Sequence, residues 1–134
     1  MNKTTITIAC ALVLGLLSGS AVRAAEDTKG KLLYHVVCLK FKPDAGKERI
    51  AEVEKAFKDL KSKIPQIHGL TWGTNNSPEK LDKGFTHCFV LTFESEEARA
   101  KYLPHPDHKA FGRVLGPVLA DVFVIDFWGE HPGK

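Results

Sequence analysis

The sequence predicts one α+β domain of the ferredoxin-like type, in which a single layer of helices covers a four-stranded antiparallel sheet. Segments rich in β-branched and aromatic residues alternate with helical segments in the order β-α-β-β-α-β, which is the first observation behind this prediction. The second is length: about 110 residues remain once an N-terminal apolar segment is set aside. That length suits one domain with a modest core and is too short for two.

The first 24 residues are interpreted as a signal peptide. Lys3 supplies a positive start, an apolar run covers residues 6–17, and small residues surround Ala24, after which cleavage is predicted. The run is short for a membrane span, so a retained anchor is the less favoured alternative. Residues 25–33 are predicted to be flexible. We expect a secreted or periplasmic protein without stable membrane insertion after cleavage.

The first half of the domain begins with a predicted strand over residues 33–41, which ends before Pro43. Between residues 47 and 64, apolar side chains recur at spacings of three and four, which predicts an amphipathic helix. Pro65 stops this helix, and residues 67–74 are predicted to form the second strand.

The second half follows a polar loop and contains one capped helix and one helix that opens on proline. The domain as a whole is placed at residues 34–128. The predicted elements are a strand over 85–93, a helix from Ser95 to about Leu103, a short helix from Pro106 to about Leu115, a strand over 122–128 and a loose tail over 129–134.

The predicted strands are apolar on both faces, although the chain supplies helices for only one. In the first strand the odd-numbered residues share one face, and the even-numbered residues share the other. We expect the odd set, His35, Val37 and Leu39, to lie on the face away from the helices. Exposed apolar surface of this extent marks an interface, so we expect a homodimer formed through the uncovered sheet face.

The charge of the exported chain gives no reason to expect nucleic acid as a partner. The whole chain has 19 basic and 16 acidic residues, and removal of Lys3 and Arg23 leaves 17 against 16. No Ser-His-Asp order, phosphate loop or dinucleotide fingerprint is visible, so no cofactor is predicted.

Several separated motifs resemble the stress-responsive α/β-barrel family, also called Dabb. They are HVVCLKFKPD in the first strand, GFTHCFVLTFES in the third, YLPHPDH between the later helices and VFVIDFW in the last strand. The resemblance covers the predicted domain, residues 34–128. It implies a dimeric α+β barrel in which two sheets pack face to face, which agrees with strands that are apolar on both faces.

Within that family the sequence is similar to plant polyketide cyclases, which use a tyrosine and a histidine in an acid-base aldol cyclisation. Motif-to-motif matching implies that these roles fall on Tyr102 and His108. Glu54 stands where an aromatic residue lines the cyclase pocket, which argues against the same apolar substrate. Most members of the family share the tyrosine and histidine without known cyclase activity, so this motif is better evidence for the family than for the reaction. The other ligand-binding positions that the resemblance implies are His35, Val37, Leu39, Phe57 and Phe111.

The chemistry of Tyr102 and His108 allows an active or a structural role. His108 falls in the first turn of the helix that Pro106 opens, where unpaired N–H groups and the helix dipole disfavour another positive charge. A neutral imidazole can act as a general base, and a tyrosine hydroxyl can hold or protonate a carbonyl oxygen. The alternative is that both side chains only tie the helix junction together through hydrogen bonds.

Four other polar or reactive residues favour structural roles. His105 and His108 have the spacing of two metal ligands, but no third ligand accompanies them, so no metal site is predicted and His105 is interpreted as a structural hydrogen-bonding residue. Asp126 in an apolar strand should have a partner. Export would permit a disulfide between Cys38 and Cys88, although two buried thiols acting as small hydrophobes is the favoured interpretation.

Three functions remain open at this point. The first is an exported dimer that binds a small, partly apolar molecule without assigned catalysis. The second is a cofactor-independent cyclase or lyase acting on a polyketide-like or carbonyl substrate, with His108 as base and Tyr102 as its partner. The third is a stable, non-catalytic stress-response dimer. An open cavity bounded by His35, Phe57, Tyr102 and His108 would favour the first two, whereas a closed one would remove both.

Overall fold

A computed structural model describes residues 30–130, so the predicted signal peptide lies outside the described residues. The observed order confirms the predicted β-α-β-β-α-β arrangement, with the later helical segment divided into two helices. The elements are β1 Lys31–Phe41, α1 Lys47–Lys63, β2 Gly69–Thr74, β3 His87–Phe93, α2 Glu96–Tyr102, α3 Pro106–Leu115 and β4 Leu119–Glu130.

The two strands at the chain ends are longer than the sequence pattern predicts. Lys31 lies opposite Glu130, so part of the segment predicted to be flexible and part of the predicted tail belong to the sheet. The extension of β4 was not predicted, because the strand contains Gly129 and glycine is typical of turns. Here Gly129 lies against the Tyr34 ring, which a Cβ atom at this position would approach to 2.9 Å. β2 and β3 each begin two residues later than predicted.

The sheet is antiparallel with strand order β2-β3-β1-β4, so β2 and β4 are its edges. In the β1–β3 ladder Cys38 lies opposite Cys88. In the β1–β4 ladder His35 lies opposite Asp126. Directly opposed residues of antiparallel strands share a face, so both pairs have neighbouring side chains.

The helices pack on one face of this sheet through an aromatic core. α1 buries Val53, Phe57 and Leu60 at helical spacing. Phe57 stacks on Phe89 of β3 with ring centroids 3.9 Å apart, and it meets the ring of Phe111 from α3 at 4.8 Å. Burial of these rings in close contact provides the main stabilisation of the helical layer.

The starts of α2 and α3 follow their predicted signals. Ser95 accepts a hydrogen bond from the backbone N–H of Ala98 at 3.1 Å, which caps α2. The Nδ1 atom of His105 accepts from the backbone N–H of Asp107 at 3.2 Å, and Pro106 occupies the first turn of α3. His105 is therefore a capping residue, which confirms its structural interpretation.

The prediction of which β1 face the helices cover was wrong. His35, Val37 and Leu39 lie beneath the helices and are only 7, 8 and 0% exposed. Alternation determines which residues share a face. Because both faces of β1 are apolar, alternation alone does not decide which one the helices cover.

The opposite side of the sheet, which we call the open face, is not covered by any helix of the described residues. Phe123, Ile125 and Phe127 of β4 are each 45–48% exposed there, and the Phe127 ring stacks on Tyr34 at 5.1 Å. This confirms the predicted sheet that is apolar on both faces. The open face comprises Tyr34, Val36 and Cys38 of β1, Cys88 and Val90 of β3, and Phe123, Ile125 and Phe127 of β4.

Within residues 30–130, no helix combines the length and apolar character that crossing a membrane requires.

Candidate functional site

Tyr102 and His108 lie together where α2 gives way to α3. Tyr102 is the last residue of α2, and His108 lies in the first turn of α3, two residues after Pro106. Their ring centroids are 4.4 Å apart. The Tyr102 side chain is almost fully buried, whereas His108 is half-buried. The short junction thus places a phenol and an imidazole side by side at the rim of the core.

A backbone hydrogen bond sets the tautomer of His108. Its Nδ1 atom lies 2.9 Å from the carbonyl oxygen of Leu103. A carbonyl oxygen can only accept, so Nδ1 carries the proton and donates it. In the neutral ring Nε2 then has a free lone pair, which is the form that a general base requires. The same hydrogen bond ties the helix junction, so the structural interpretation of His108 is also satisfied.

The Tyr102 hydroxyl is held in its protonated form. Burial raises the pKa of Tyr102 above its ordinary value, because the phenolate would lose its hydration. No residue within 30–130 forms a hydrogen bond to this hydroxyl. The hydroxyl therefore keeps its proton and can donate it to a molecule that reaches it.

Behind Tyr102 lies a charged network that joins two strands to α2. Nδ1 of His35 is 2.6 Å from Oδ1 of Asp126, and the Arg99 guanidinium donates to Oδ2 of the same carboxylate at 2.5 Å. Partial burial raises the pKa of Asp126, but the hydrogen bonds from His35 and Arg99 outweigh it and hold the pKa below the ordinary value. Asp126 is therefore ionised at neutral pH.

The network belongs to the same cluster as the tyrosine and histidine. The His35 ring meets the Tyr102 ring edge-on, with centroids 5.9 Å apart. Arg99 precedes Tyr102 by three residues, so one turn of α2 carries both. Asp126 has the partners that its position in an apolar strand required. No signal in the sequence points to Arg99, because its contact with Asp126 depends on how α2 packs against the sheet.

The helix side of β4 continues this cluster as an apolar strip. Val122 and Val124 share a face with Asp126, and they lie opposite the buried residues Leu39 and Val37. Both valines are nevertheless 43–46% exposed, because the helices do not reach over the sheet edge. The strip therefore offers apolar surface next to the charged end that Asp126 forms.

The remaining predicted pocket residues pack in the core. Val37, Leu39, Phe57 and Phe111 all belong to the buried cluster between sheet and helices. Their role as ligand contacts stays a prediction. Two cavities of about 630 and 470 Å³ are found in the described chain, and neither is lined by His35, Phe57, Tyr102 or His108. The open cavity that would favour a binding protein or an enzyme is therefore not among them.

The larger cavity lies on the open face. It extends beneath the loop between β2 and β3, and its walls include Cys38, Cys88, Val90 and Phe123. Leu81 of the loop also lines it and is 73% exposed. The sequence showed this segment only as a polar loop, because its position over the sheet depends on tertiary structure.

Glu54, the departure from the cyclase pattern, has a partner within the chain. Its Oε1 accepts from Nε2 of His87 at 3.0 Å, and the Thr86 hydroxyl donates to Nδ1 of the same ring at 2.8 Å. Both ring nitrogens of His87 are thus satisfied. The pair joins α1 to β3. The sequence analysis did not identify it, and the only signal that could have done so is the alternation of β3, which places His87 on the same face as Phe89 and Leu91.

His105 and His108 each use one ring nitrogen for a hydrogen bond to the backbone. His105 uses Nδ1 to cap α3, and His108 uses Nδ1 to bond Leu103. Within residues 30–130, no group of three or more histidine, cysteine, aspartate or glutamate side chains is arranged to hold a metal ion.

Comparison with known proteins identifies relatives over the same residues. The stress responsive A/B barrel domain family matches residues 33–129. The stress-response A/B barrel domain-containing protein HS1 of Arabidopsis thaliana is 38% identical over 102 residues, which are 76% of this chain and 93% of that protein. Olivetolic acid cyclase of Cannabis sativa is 30% identical over 93 residues, which are 69% of this chain and 92% of the cyclase.

Among solved structures, a dimeric ferredoxin-like protein of unknown function from Jannaschia sp. has a TM-score of 0.63 at 25% identity. The match covers 72% of this chain and 97% of that one. The similarity therefore extends over nearly the whole of each relative, and it includes both the helical layer and the four-stranded sheet.

Proposed function

Because the chain belongs to the stress-responsive A/B barrel (Dabb) family, we propose that it is a homodimer that binds a small, partly apolar carbonyl compound at the Tyr102–His108 cluster. The observation that carries this proposal is the pairing of a buried, protonated phenol with an imidazole whose Nδ1 is bonded to Leu103. The ring centroids are 4.4 Å apart, so the donor and the acceptor belong to neighbouring side chains.

The open face supports the dimer. Exposed aromatic and branched residues cover it, and one helical layer cannot shield them. A second copy of the same sheet brings a matching apolar surface, which an isologous interface requires. The dimeric state of a ferredoxin-like protein that is 25% identical is consistent with this arrangement.

The ligand class follows from the polar and apolar parts of the cluster. The Tyr102 hydroxyl suits a carbonyl or hydroxyl oxygen, and Nε2 of His108 suits an acidic C–H or O–H group beside it. Val122 and Val124 supply apolar surface for the rest of the molecule. The ionised Asp126 at the end of this strip disfavours an anionic ligand there.

A cofactor-independent cyclase or lyase reaction is the second candidate, and the tautomer of His108 favours it. Nε2 would remove a proton next to the carbonyl, while Tyr102 stabilises the developing oxyanion by donating its hydrogen bond. The relative named olivetolic acid cyclase supports a carbonyl substrate of polyketide type. If no ligand binds, the third interpretation, a stable dimer without a binding site, is favoured.

Binding is tested by NMR titration with acetophenone. Ethylbenzene, which has a similar size but no carbonyl group, is the comparison ligand. We expect acetophenone to shift backbone amides around Tyr102 and His108, and ethylbenzene to bind about tenfold more weakly. Tyr102→Phe should remove that preference. His68→Ala, which deletes an exposed histidine paired with Glu94, is the control and should retain it. Equal binding of both probes to the wild-type chain would contradict the proposal.

Catalysis is separated from binding by exchange of the acetophenone methyl protons in D2O. A base at His108 should accelerate this exchange above the rate in buffer, and His108→Ala should abolish the acceleration. Binding without acceleration would leave the protein as a binder and remove the enzyme candidate.

We also propose export with cleavage after Ala24. The apolar run over residues 6–17 and the small residues near Ala24 support it. N-terminal sequencing of the protein isolated from its source should begin at Ala25. Recovery of a chain that begins at Met1 would contradict export by cleavage.

A further inference from the structure

The β2–β3 loop lies over a cavity on the open face. Side chains from three strands line the sheet side of this cavity, among them Cys38 of β1, Val90 of β3 and Phe123 of β4. Leu81 lines it from the loop. The cavity has a volume of about 630 Å³, so it interrupts the apolar surface through which the proposed dimer forms.

A second sheet laid flat on the open face would leave this cavity unfilled. Well-packed interface cores, like protein interiors, contain few voids larger than a water molecule, whose share of liquid water is about 30 Å³. The cavity is many times larger than that. Val90 and Phe123 offer water no side-chain hydrogen-bond partner, so water is a poor filling where they form the wall. Apolar side chains of the second copy are therefore the occupant that fits.

Leu81 gives the loop an apolar contact point of its own. The other residues of the segment 75–84 are polar, glycine or proline. Leu81 is 73% exposed, more than any other large apolar residue of the described chain. A single exposed leucine is common on protein surfaces. This one lines a cavity on the face that the second copy covers, so its burial would continue the proposed interface.

Hydrogen bonds on the C-terminal side of Leu81 stabilise the loop. The Asp82 carboxylate accepts a hydrogen bond from the backbone N–H of Gly84 at 2.8 Å. The Lys40 ammonium donates to the carbonyl oxygen of Lys83 at 3.0 Å, which ties the loop to β1. A loop that is ordered before association loses less conformational entropy on binding, which favours its use in an interface.

We propose that in the homodimer the β2–β3 loop of each chain contacts the second copy through Leu81, and that apolar side chains of that copy fill the cavity beneath the loop. This inference rests on the homodimer proposed above and adds the loop to its interface. Under two-fold symmetry each dimer contains two such contacts. The interface then extends from the edge strand β4 to the loop that follows the other edge strand, β2.

The filling of the cavity is tested without any variant by alkylation of Cys38 and Cys88, which are free, half-buried thiols in its wall. The full chain is treated with iodoacetamide at about pH 9, where thiols react faster than at neutral pH, and each cysteine peptide is measured by mass spectrometry. We expect both thiols to react more slowly at protein concentrations above the dimer Kd than below it. Equal rates in the dimer and in the dissociated chain would overturn the inference.

The contribution of Leu81 is tested by sedimentation equilibrium of the full chain. Leu81→Ser should raise the dimer Kd about 100-fold, because each of the two leucines in a dimer loses an apolar contact. Lys80→Ser is the matched control: it shortens the neighbouring exposed side chain, which does not line the cavity, and should leave Kd within about threefold of wild type. Far-UV circular dichroism should show both variants folded, because both side chains are exposed in the single chain.

Failure of this inference can be distinguished from failure of the homodimer. If wild type is a dimer and Leu81→Ser leaves its Kd unchanged, or Lys80→Ser raises Kd equally, the loop contact is overturned and the homodimer stands. A monomeric wild-type chain would contradict the homodimer and the loop contact together.

Discussion

His35 and Asp126, which are 91 residues apart in the chain, are joined by a 2.6 Å contact between Nδ1 and Oδ1. The contact exists because β1 and β4 pair in a register that sets these residues opposite each other. Arg99 shares the same carboxylate from α2. The Asp126 carboxylate thereby links His35, whose ring contacts Tyr102, to α2, the helix that carries Tyr102.

Asp126→Asn should destabilise the fold by about 1–2 kcal/mol, because Arg99 loses its ionic partner and His35 loses a charged acceptor. The side chain of Asp126 is 24% exposed, so water compensates for part of the loss. Urea unfolding measures the effect. Asp44→Asn on the exposed turn after β1 is the control and should change the free energy of unfolding by less than about 0.5 kcal/mol. A loss in the control equal to that in Asp126→Asn would contradict the network.

The difference between wild type and Asp126→Asn should depend on pH in one direction. The folded-state pKa of Asp126 is lowered, so its stabilisation is complete above the ordinary aspartate value of about 3.9 and disappears as pH falls through the folded-state pKa. Unfolding measured from about pH 6 down to pH 2 should show the two proteins converging. A constant difference over that range would show that ionisation of Asp126 contributes nothing.

Tyr102→Phe should leave stability within about 0.5 kcal/mol of wild type, because no described residue bonds to the hydroxyl and the ring remains packed. Tyr102→Ala removes that ring from the core and should cost about 3–5 kcal/mol. Thermal and urea unfolding distinguish the two variants. If the phenylalanine variant were as unstable as the alanine variant, the hydroxyl would be a structural group and not the available donor that the proposed site needs.

Glu54 and His87 should show coupling in a double-mutant cycle. Each single change, Glu54→Leu or His87→Leu, removes the hydrogen bond and leaves its polar partner without it. We expect each to cost about 1–3 kcal/mol, with the larger cost for Glu54→Leu because His87 is the more buried partner. The double variant should recover about 1 kcal/mol or more relative to the sum of the single losses. Additive losses would mean that the 3.0 Å contact does not stabilise the helical layer.

The elements of this fold could be predicted because their signals are local. The 3–4 spacing of apolar residues placed α1 correctly, and Ser95 and Pro106 marked the starts of the later helices. β1 and β4 were predicted to be shorter than they are, because their full length depends on pairing between distant segments. Local pattern therefore determined element type, and tertiary pairing determined length.

Only part of the candidate site could be predicted from the sequence, for the same reason. Tyr102 and His108 stand in one short motif, so the sequence shows both together. The joining of His35, Arg99 and Asp126 requires the register of two strands and the position of a helix, which no residue spacing encodes. The covered face of β1 was assigned wrongly because apolar residues occupy both of its sides.

The homodimer formed through the open face is tested most directly by sedimentation analysis of the chain and of Ile125→Lys, which places a charge among the exposed apolar residues of that face. Ala51→Lys, on the exposed side of α1, adds the same charge elsewhere and serves as the control. We predict a dimer for wild type and for Ala51→Lys, and a folded monomer for Ile125→Lys. A monomeric wild-type chain, or a dimer that persists unchanged in Ile125→Lys, would contradict the account.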